Sequence, residues 1–124
     1  MQRHTRQRAA IRDAFESLGR PLSPSEAYHA ACGRTPGIGI ATVYRAIREL
    51  VSEGWLQVVV TPGVGDRYEL AGKPHHHHFL CRGCDSLWEI DACVDGVAEL
   101  TPLGFQTESH EITLYGLCEG CRPG

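Results

Sequence analysis

The sequence predicts an α+β fold in two parts, a helical part with a β-hairpin over residues 1–72 and a smaller α/β part over residues 73–124. Two observations carry this prediction. The first half contains three segments of helical periodicity followed by two β-rich runs, and the second half contains two CxxC pairs with short β-rich runs between them. Because 124 residues in two parts bury little surface in each, a further stabilising element is expected.

The composition predicts no membrane-spanning helix. The chain is 42% hydrophobic and 22% charged, and it contains no run of about 18 apolar residues. The N-terminal segment MQRHTRQRAA is basic, and no apolar stretch typical of a signal peptide follows it. A cytoplasmic location is therefore expected, where thiols stay reduced and cysteines are ligands before they are disulfides.

The first half predicts three helices and a hairpin in order. From Thr5 to Leu18 the apolar residues recur at helical spacing, and Gly19 ends the run. Ser23 is expected to cap the second helix, with Pro24 at its first position and Glu26 completing a capping box. The segment IATVYRAIRELVSEG predicts the third helix, and WLQVVV and RYEL, joined by TPGVGD, predict the hairpin. Three helices followed by a hairpin indicate a winged helix.

In a winged helix the last helix enters the major groove of DNA. The face opposite the apolar stripe of this helix carries residues suited to bases and phosphates, namely Thr42, Tyr44, Arg45 and Arg48. The alternative is a helical-bundle face with ordinary surface arginines, which the hairpin disfavours.

Charge is distributed unevenly between the two halves. Residues 1–72 contain nine Arg against seven acids, a net of +2, whereas residues 73–124 contain three Lys plus Arg against eight acids, a net of −5. Four arginines (Arg3, Arg6, Arg8 and Arg12) fall within the first twelve residues without an acid, as in a phosphate-contacting arm. A solvated helix face is the alternative interpretation of this basic run.

The two CxxC pairs, Cys81 with Cys84 and Cys118 with Cys121, are separated by 33 residues. Four thiolates at such spacing predict a closed tetrahedral zinc site. The long separation requires the chain to leave and return, and SLWEI is expected as a strand, ACVDGVAEL as a helix and SHEITLYGL as a strand. The remaining cysteines, Cys32 and Cys93, are expected to be small buried hydrophobes rather than ligands.

Four consecutive histidines precede the first CxxC pair. Alternation along a strand places His76 and His78 on one face and His75 and His77 on the other, so the run supplies two potential metal sites. The acids Glu69 and Glu89 are expected near the first pair, and His110 with Asp95 or Glu99 near the second. The alternatives are an expression-tag remnant or a solvated polar loop. An internal run directly before a CxxC pair disfavours the tag.

The chain resembles the ferric uptake regulator (Fur) family of bacterial metal-sensing repressors in TRQR, IGIATVYRAI, RYEL, HHHHFLCRGC and HEITLYGLCEGC. This resemblance implies a winged-helix DNA-binding domain over residues 1–72 and an α/β dimerisation domain over residues 73–124, with a regulatory metal at the hinge of a homodimer that binds palindromic operator DNA. It also implies that Tyr44 and Arg45 read bases, that Arg3 lies near the minor groove, and that the four CxxC cysteines hold structural Zn²⁺.

Departures from the family pattern concern the regulatory metal. Members that sense iron or peroxide have a histidine where Pro21 stands, which weakens the peroxide-sensor interpretation most. Zinc uptake regulators use an aspartate and a cysteine where Gln57 and Ala71 stand. The hinge ligands implied by the resemblance are then Glu69, His76, His78 and Glu89. The sensed metal is expected to be Fe²⁺ or Zn²⁺, with Mn²⁺ and Ni²⁺ open because imidazole suits all four.

The second site of the family would use His75, His77 and His110 with an acid aligned to Gly96, so Asp95 or Glu99 would have to substitute. Two other functional classes are weighed against a repressor. A zinc enzyme is disfavoured because the chain contains neither HExxH nor HxE followed by PCxxC. A zinc-containing metal-storage or electron-transfer protein without DNA binding would have no use for a winged helix.

Overall fold

A computed structural model describes the backbone of residues 2–123 and the side chains of residues 5–123. The chain divides into two compact units between Lys73 and Pro74. Within the described residues, no helix is both long and apolar enough to cross a membrane.

The first unit begins with three helices, α1 (Gln2–Leu18), α2 (Pro24–Arg34) and α3 (Ile40–Ser52). Helix α1 is followed by Gly19, which adopts a φ of +63° that side-chain-bearing residues rarely adopt. Helix α2 has the predicted capping box, because Ser23 Oγ accepts from the Glu26 N–H while the Ser23 N–H donates to the Glu26 carboxylate. All three predicted helices are present.

A hairpin follows the helices and completes the winged helix. Strand β1 (Leu56–Thr61) pairs antiparallel with β2 (Gly65–Leu70) in a register that places Gln57 opposite Glu69. A backbone bridge between Leu22 and Tyr68 ties the start of α2 to the hairpin, with N–H to carbonyl distances of 2.8 and 2.9 Å. The predicted α+β fold with an N-terminal winged helix is confirmed.

One hydrophobic core holds the first unit together. Helix α3 contributes four buried residues, from Val43 to Leu50, and α1 contributes Ile11, Ala14 and Phe15. The buried members of this core are Ala10, Ile11, Ala14, Phe15, Leu22, Ala27, Ala31, Ile38, Val43, Ala46, Ile47, Leu50 and Leu56. Trp55 packs against it, with its ring edge-on to Phe15. At about 1.5–3 kcal/mol for each large buried side chain, this core is the main stabilising element of the unit.

The second unit is built on a three-stranded sheet with strand order β4-β3-β5. The central strand β3 (His77–Cys81) pairs antiparallel with β4 (Leu87–Ile90) and parallel with β5 (Thr113–Gly116). The buried hydrophobic residues described in this unit are few, namely Leu80, Cys81 and Leu87. The predicted strands in SLWEI and SHEITLYGL are present, although the second covers only its last part.

The predicted helix over ACVDGVAEL is wrong. Only a single 3₁₀ turn, Val97–Leu100, is helical there, and it starts after Gly96 in the left-handed region at φ +84°. Val94 and Leu100 are 65% and 82% exposed, so no packed apolar face is present to stabilise an α-helix at this place. The segment therefore crosses from β4 to β5 largely without regular structure.

Candidate metal centres and DNA-contacting surface

The four CxxC cysteines lie together in the second unit. Cys81 ends β3, Cys84 lies in the turn that follows, and Cys118 and Cys121 lie after β5. Their sulfur atoms all lie within 4.8 Å of one another. The parallel pairing of β3 with β5 produces this arrangement, because it brings the two CxxC turns to the same end of the sheet.

The cluster has the dimensions of a zinc site. Sulfur atoms at the corners of a tetrahedron lie about 3.8 Å apart when each Zn–S bond is about 2.3 Å, and the sulfurs of Cys84 and Cys118 are 3.9 Å apart. A Cβ atom at Gly83 would lie 2.9 Å from the Cys121 Cβ, so the first turn closes around the cluster only with glycine at this position. The residues present therefore fit a four-coordinate zinc ion.

The electrostatics of the four sulfurs also suit a cation. The backbone N–H of Cys118, supported by that of Gly83, donates to the Cys81 sulfur and helps to lower the Cys81 pKa to about 6. Hydrogen bonds with the thiols of Cys118, Cys81 and Cys84 instead raise the pKa of Cys121 to about 12. Without a cation the four sulfurs cannot all be thiolates, whereas a bound Zn²⁺ would stabilise four negative ligands together.

The histidine run separates into the two predicted pairs. The ring centroids of His75 and His77 lie 4.5 Å apart, and those of His76 and His78 lie 4.9 Å apart. Because His77 starts β3, the odd-numbered pair and the even-numbered pair extend from opposite faces of the strand.

The odd-numbered pair belongs to a four-residue cluster. His75, His77, Cys93 and His110 offer ligand atoms that all lie within 4.8 Å of one another. Nε2 of His75 is 3.1 Å from Nε2 of His110, and Nε2 of His77 is 3.1 Å from the Cys93 sulfur. Burial and the neighbouring His75 and His110 lower the pKa of His77, which favours the neutral imidazole that binds metals.

Two predictions about this cluster need correction. Cys93 is an exposed side chain whose sulfur also lies 3.2 Å from His110 Nε2, so it is not a small buried hydrophobe. Asp95 and Glu99 are not members of the cluster among the described residues. The Glu99 carboxylate instead occupies the space beside Gly96, 3.3 Å from where a Cβ would stand.

Cys32 is half-buried and packs against the core of the first unit, with its sulfur 3.7 Å from the Ile38 carbonyl oxygen. This placement agrees with a packing role for the Cys32 thiol, in contrast to that of Cys93.

The even-numbered pair has a different local environment. Nδ1 of His76 donates to the Pro74 carbonyl oxygen at 2.9 Å, which leaves Nε2 with the lone pair that binds a metal. His78 is paired in register with Glu89 across β3 and β4. Directly opposed residues on neighbouring strands have Cβ atoms about 4.5–5.5 Å apart on the same face, so this imidazole and this carboxylate share one face.

In the first unit, Glu69 is a charged residue with an exposed fraction of only 2%. Its strand partner Gln57 donates from Nε2 to the Glu69 carboxylate at 2.6 Å. A buried carboxylate is costly unless polar groups or a cation compensate it. Gln57 therefore supplies part of that compensation.

The outer face of α3 presents the predicted DNA-contacting residues to solvent. Tyr44, Arg45 and Arg48 are exposed, and Thr42 is half-buried, while Val43 and Ile47 point into the core. Within residues 5–123, no ion pair involves Arg45 or Arg48. Their guanidinium groups are therefore available to an external anion.

The structure assigns other roles to two of the N-terminal arginines. Arg8 forms ion pairs with Glu49, at 3.1 Å, and with Glu53, so it joins α1 to α3. The guanidinium group of Arg12 lies over the Trp55 ring, 4.7 Å from its centroid. These contacts within the first unit were not anticipated by the basic-arm interpretation, which stays a prediction. Arg6 is exposed, and the side chain of Arg3 lies outside the described residues.

A winged-helix unit joined in one chain to a unit with clustered thiols and imidazoles is the arrangement of a metal-responsive regulator of transcription. The model of the ferric uptake regulator family matches residues 2–115. The chain is 36% identical over 125 residues to the zinc uptake regulation protein of Mycobacterium tuberculosis, covering 97% of this chain and 95% of that protein. It is 34% identical over 122 residues to the ferric uptake regulation protein of Bacillus subtilis, covering 91% of this chain and 80% of that protein.

The fold is also similar to that of the Helicobacter pylori ferric uptake regulator, whose structure reveals three functional metal-binding sites. The TM-score is 0.66 at 27% sequence identity, covering 95% of this chain and 81% of that one. The chain therefore belongs to the ferric uptake regulator family, whose members are metal-sensing repressors of transcription. Members of this family are regulators of transcription rather than enzymes, which confirms the prediction that the chain is not a zinc enzyme.

Proposed function

We propose that the protein is a cytoplasmic homodimeric repressor that binds palindromic operator DNA when a divalent corepressor metal occupies a hinge site. The ligands of that site are Glu69, His76, His78 and Glu89. Glu69 lies at the end of the winged-helix unit, and the other three lie in the second unit, so one ion joins ligands from both units. Metal binding and DNA binding then strengthen each other, because reciprocity of the coupling is a thermodynamic requirement.

The observation that carries this proposal is the state of the even-numbered histidines. His76 donates from Nδ1 to a carbonyl oxygen, so the lone pair that can bind a metal is on Nε2, while His78 shares its strand face with Glu89. The hydrogen bond from Nδ1 to the Pro74 carbonyl oxygen sets the tautomer that a metal on Nε2 requires. The burial of Glu69 in β2 adds a carboxylate for which a cation is a suitable partner.

Two features bear on the identity of the corepressor metal. The similarity to a zinc uptake regulation protein favours Zn²⁺. A ligand set of two imidazoles and two carboxylates, without a thiolate, favours Fe²⁺ or Mn²⁺ by comparison with a thiolate-containing site. Titration with each metal separates these candidates.

We further propose that Zn²⁺ occupies the four-cysteine cluster permanently and that a second copy of the chain covers the exposed apolar residues of the second unit. Leu100, Leu103 and Phe105 are 82%, 102% and 73% exposed. Exposed side chains of this size, in a unit with few buried hydrophobic residues, are characteristic of a surface that pairs with a partner. Dimers in this family support the same assignment.

For DNA recognition, we propose that α3 enters the major groove. Arg45 and Tyr44 would read base edges, and Thr42, Arg48 and Arg3 would contact bases or phosphates nearby. The exposure of the first two side chains, and the absence of ion pairs at Arg45 within residues 5–123, support this role.

The test combines metal analysis with DNA binding. Purified protein is dialysed against a mild chelator, and its zinc content is measured. A DNA duplex is selected from random sequences by the metal-loaded protein. Binding of the protein to this duplex is then titrated with Fe²⁺, Zn²⁺, Mn²⁺ and Ni²⁺ added in turn. A scrambled duplex is the control. We expect one retained zinc per chain and tight binding to the selected duplex only with added metal. Equal affinity for both duplexes with and without metal, or a coloured redox-active protein, would instead support metal storage or electron transfer.

A further inference from the structure

The cluster on the odd-numbered face of β3 contains one ligand type that the family pattern does not provide. Three of its members are histidines, and the fourth is the Cys93 thiol. We propose that the Cys93 thiolate is the fourth ligand of the second metal site, where it replaces the missing acid beside His75, His77 and His110 and adapts the site to Zn²⁺. This inference concerns the second unit alone and does not depend on the hinge mechanism.

The position of the Cys93 sulfur supports its role as a ligand. It lies 3.1 Å from Nε2 of His77 and 3.2 Å from Nε2 of His110, while Nε2 of His75 approaches His110 to 3.1 Å. Around zinc, neighbouring nitrogen ligands lie about 3.3 Å apart, and a nitrogen and a sulfur lie about 3.5 Å apart. An expansion of a few tenths of an ångström would therefore accommodate the ion.

The two acids near the cluster do not take this place. Gly96 has no side chain, and the Glu99 carboxylate lies against the Gly96 backbone rather than in the ligand group. Asp95 is also outside that group among the described residues. A thiolate in place of a carboxylate makes the donor set softer, which favours Zn²⁺ and Co²⁺ over Mn²⁺.

Metal binding has a local structural consequence at His77. The Ile112 N–H donates to Nδ1 of His77 at 3.2 Å, so the proton of the neutral ring is on Nε2, facing Cys93. A metal on Nε2 requires the proton to move to Nδ1, where it would oppose the Ile112 N–H. The contact between Ile112 and His77 must therefore lengthen when the site fills. At His76 no such adjustment is required, because its proton is already on Nδ1.

Alkylation of Cys93 provides a readout that is specific for this site. The experiment uses the double variant His76→Ala with His78→Ala, which lacks the two hinge histidines and retains zinc in the four-cysteine cluster. This variant is treated with iodoacetamide in the presence of chelator, Zn²⁺ or Mn²⁺, and Cys93 modification is quantified by mass spectrometry. We expect Zn²⁺ to slow the alkylation of Cys93 more than tenfold, and Mn²⁺ at the same concentration to have little effect. Cys32, half-buried in the first unit, is the internal control and should not respond to zinc.

Matched variants identify the fourth ligand. Cys93→Ser should lower Zn²⁺ affinity at this site by more than about tenfold, since even outer-shell changes at metal sites cost 10- to 100-fold. It should also remove the sulfur-to-metal charge-transfer absorbance that Co²⁺ gives in the parent protein. Asp95→Asn should change neither property, and Cys93→Asp should raise Mn²⁺ affinity relative to Zn²⁺.

Three results would overturn the proposal. They are alkylation of Cys93 at the same rate with and without Zn²⁺, Co²⁺ binding without a sulfur charge-transfer band, and a loss of zinc affinity in Asp95→Asn but not in Cys93→Ser. The last result would identify the carboxylate as the ligand. A fold check by circular dichroism accompanies each variant, and Cys93 is exposed, so its replacement should not disturb a core.

Discussion

The two units of the chain are stabilised in different ways. The first unit encloses a continuous hydrophobic core contributed by all three helices and β1. In the second unit the described buried hydrophobic residues are Leu80, Cys81 and Leu87. Leu103 is fully exposed there, and Phe105 is 73% exposed. The first unit therefore has the features of a self-sufficient module, and the second has the features of one that metal ions and a partner chain complete.

This difference explains how a metal signal can be coupled to DNA binding. A unit with little core of its own gains much of its stability from ligands, so its state depends on metal concentration. A unit with a closed core keeps its DNA-contacting face intact in either state. Under the proposed function, the second unit supplies three of the four hinge ligands that sense metal, and the first unit supplies Glu69 and the surface that recognises DNA.

The largest effect is expected from Cys118→Ser. Structural zinc in small domains contributes on the order of 10–16 kcal/mol at neutral pH, so removal of one ligand should unfold the second unit while the first stays folded. The chain has two tryptophans, Trp55 in the first unit and Trp88 in the second, and each can be monitored by fluorescence after the other is changed to Phe. Cys32→Ser is the control and should retain zinc. Simultaneous loss of both signals would contradict the proposed independence.

A somewhat smaller effect is expected from Phe105→Glu. If a second copy covers this residue, the substitution buries an unpaired charge at a cost of about 3–5 kcal/mol and shifts the dimer toward monomer. Sedimentation equilibrium measures the shift. Val60→Glu is a matched control, because Val60 is 75% exposed on β1 of the first unit. An unchanged dimer in Phe105→Glu would exclude Phe105 from the pairing surface.

Leu50→Ala tests the closed core of the first unit. Leu50 is fully buried in α3, so the substitution should lower the free energy of unfolding of this unit by about 2–5 kcal/mol. Zinc content should remain unchanged. The measurement is denaturant unfolding followed at Trp55, with Val60→Ala expected to stay within about 0.5 kcal/mol of the parent. A concurrent loss of zinc would show that the units do not behave separately.

Recognition by the first unit is tested with Arg45→Ala. Removal of a base-reading arginine should cost about 1–3 kcal/mol on the selected duplex and relax base preference, with a much smaller loss on random DNA. Arg3→Ala should instead weaken binding to all duplexes alike and reduce the salt slope by about 1. Anisotropy titrations at several salt concentrations measure both. Equal losses on selected and random DNA for Arg45→Ala would exclude base reading.

Local sequence signals predicted the first unit well. Ser23 and Glu26 are three residues apart and Pro24 follows the cap directly, so the capping box was visible in the sequence. The alternation of the histidine run was equally local and predicted the two pairs. In the second unit, ACVDGVAEL was expected as a helix between two strands. The segment alone could not show that its apolar residues have no packing partner in the unit.

The features that the sequence did not predict depend on residues far apart in the chain. Arg8 pairs with Glu49, 41 residues away, which a basic N-terminal run does not indicate. Cys93 joins the cluster through His77 and His110, 16 and 17 residues away. The sequence did contain one signal for Cys93. This cysteine lies outside the CxxC pairs and three residues before Gly96, the position where an acid was missing.

The coupling of metal to DNA is tested most directly by separating the two histidine pairs. Two double variants are compared, His76→Ala with His78→Ala and His75→Ala with His77→Ala. DNA binding of each is titrated with Zn²⁺, Fe²⁺, Mn²⁺ and Ni²⁺. Thermal melts check folding, and His29→Ala, which removes an exposed histidine on α2, is the control variant. The even-numbered change should abolish metal-activated binding, whereas the odd-numbered change should alter it by about 1 to 2 kcal/mol. If metal response survives loss of the even-numbered pair and disappears with the odd-numbered pair, the hinge mechanism is wrong.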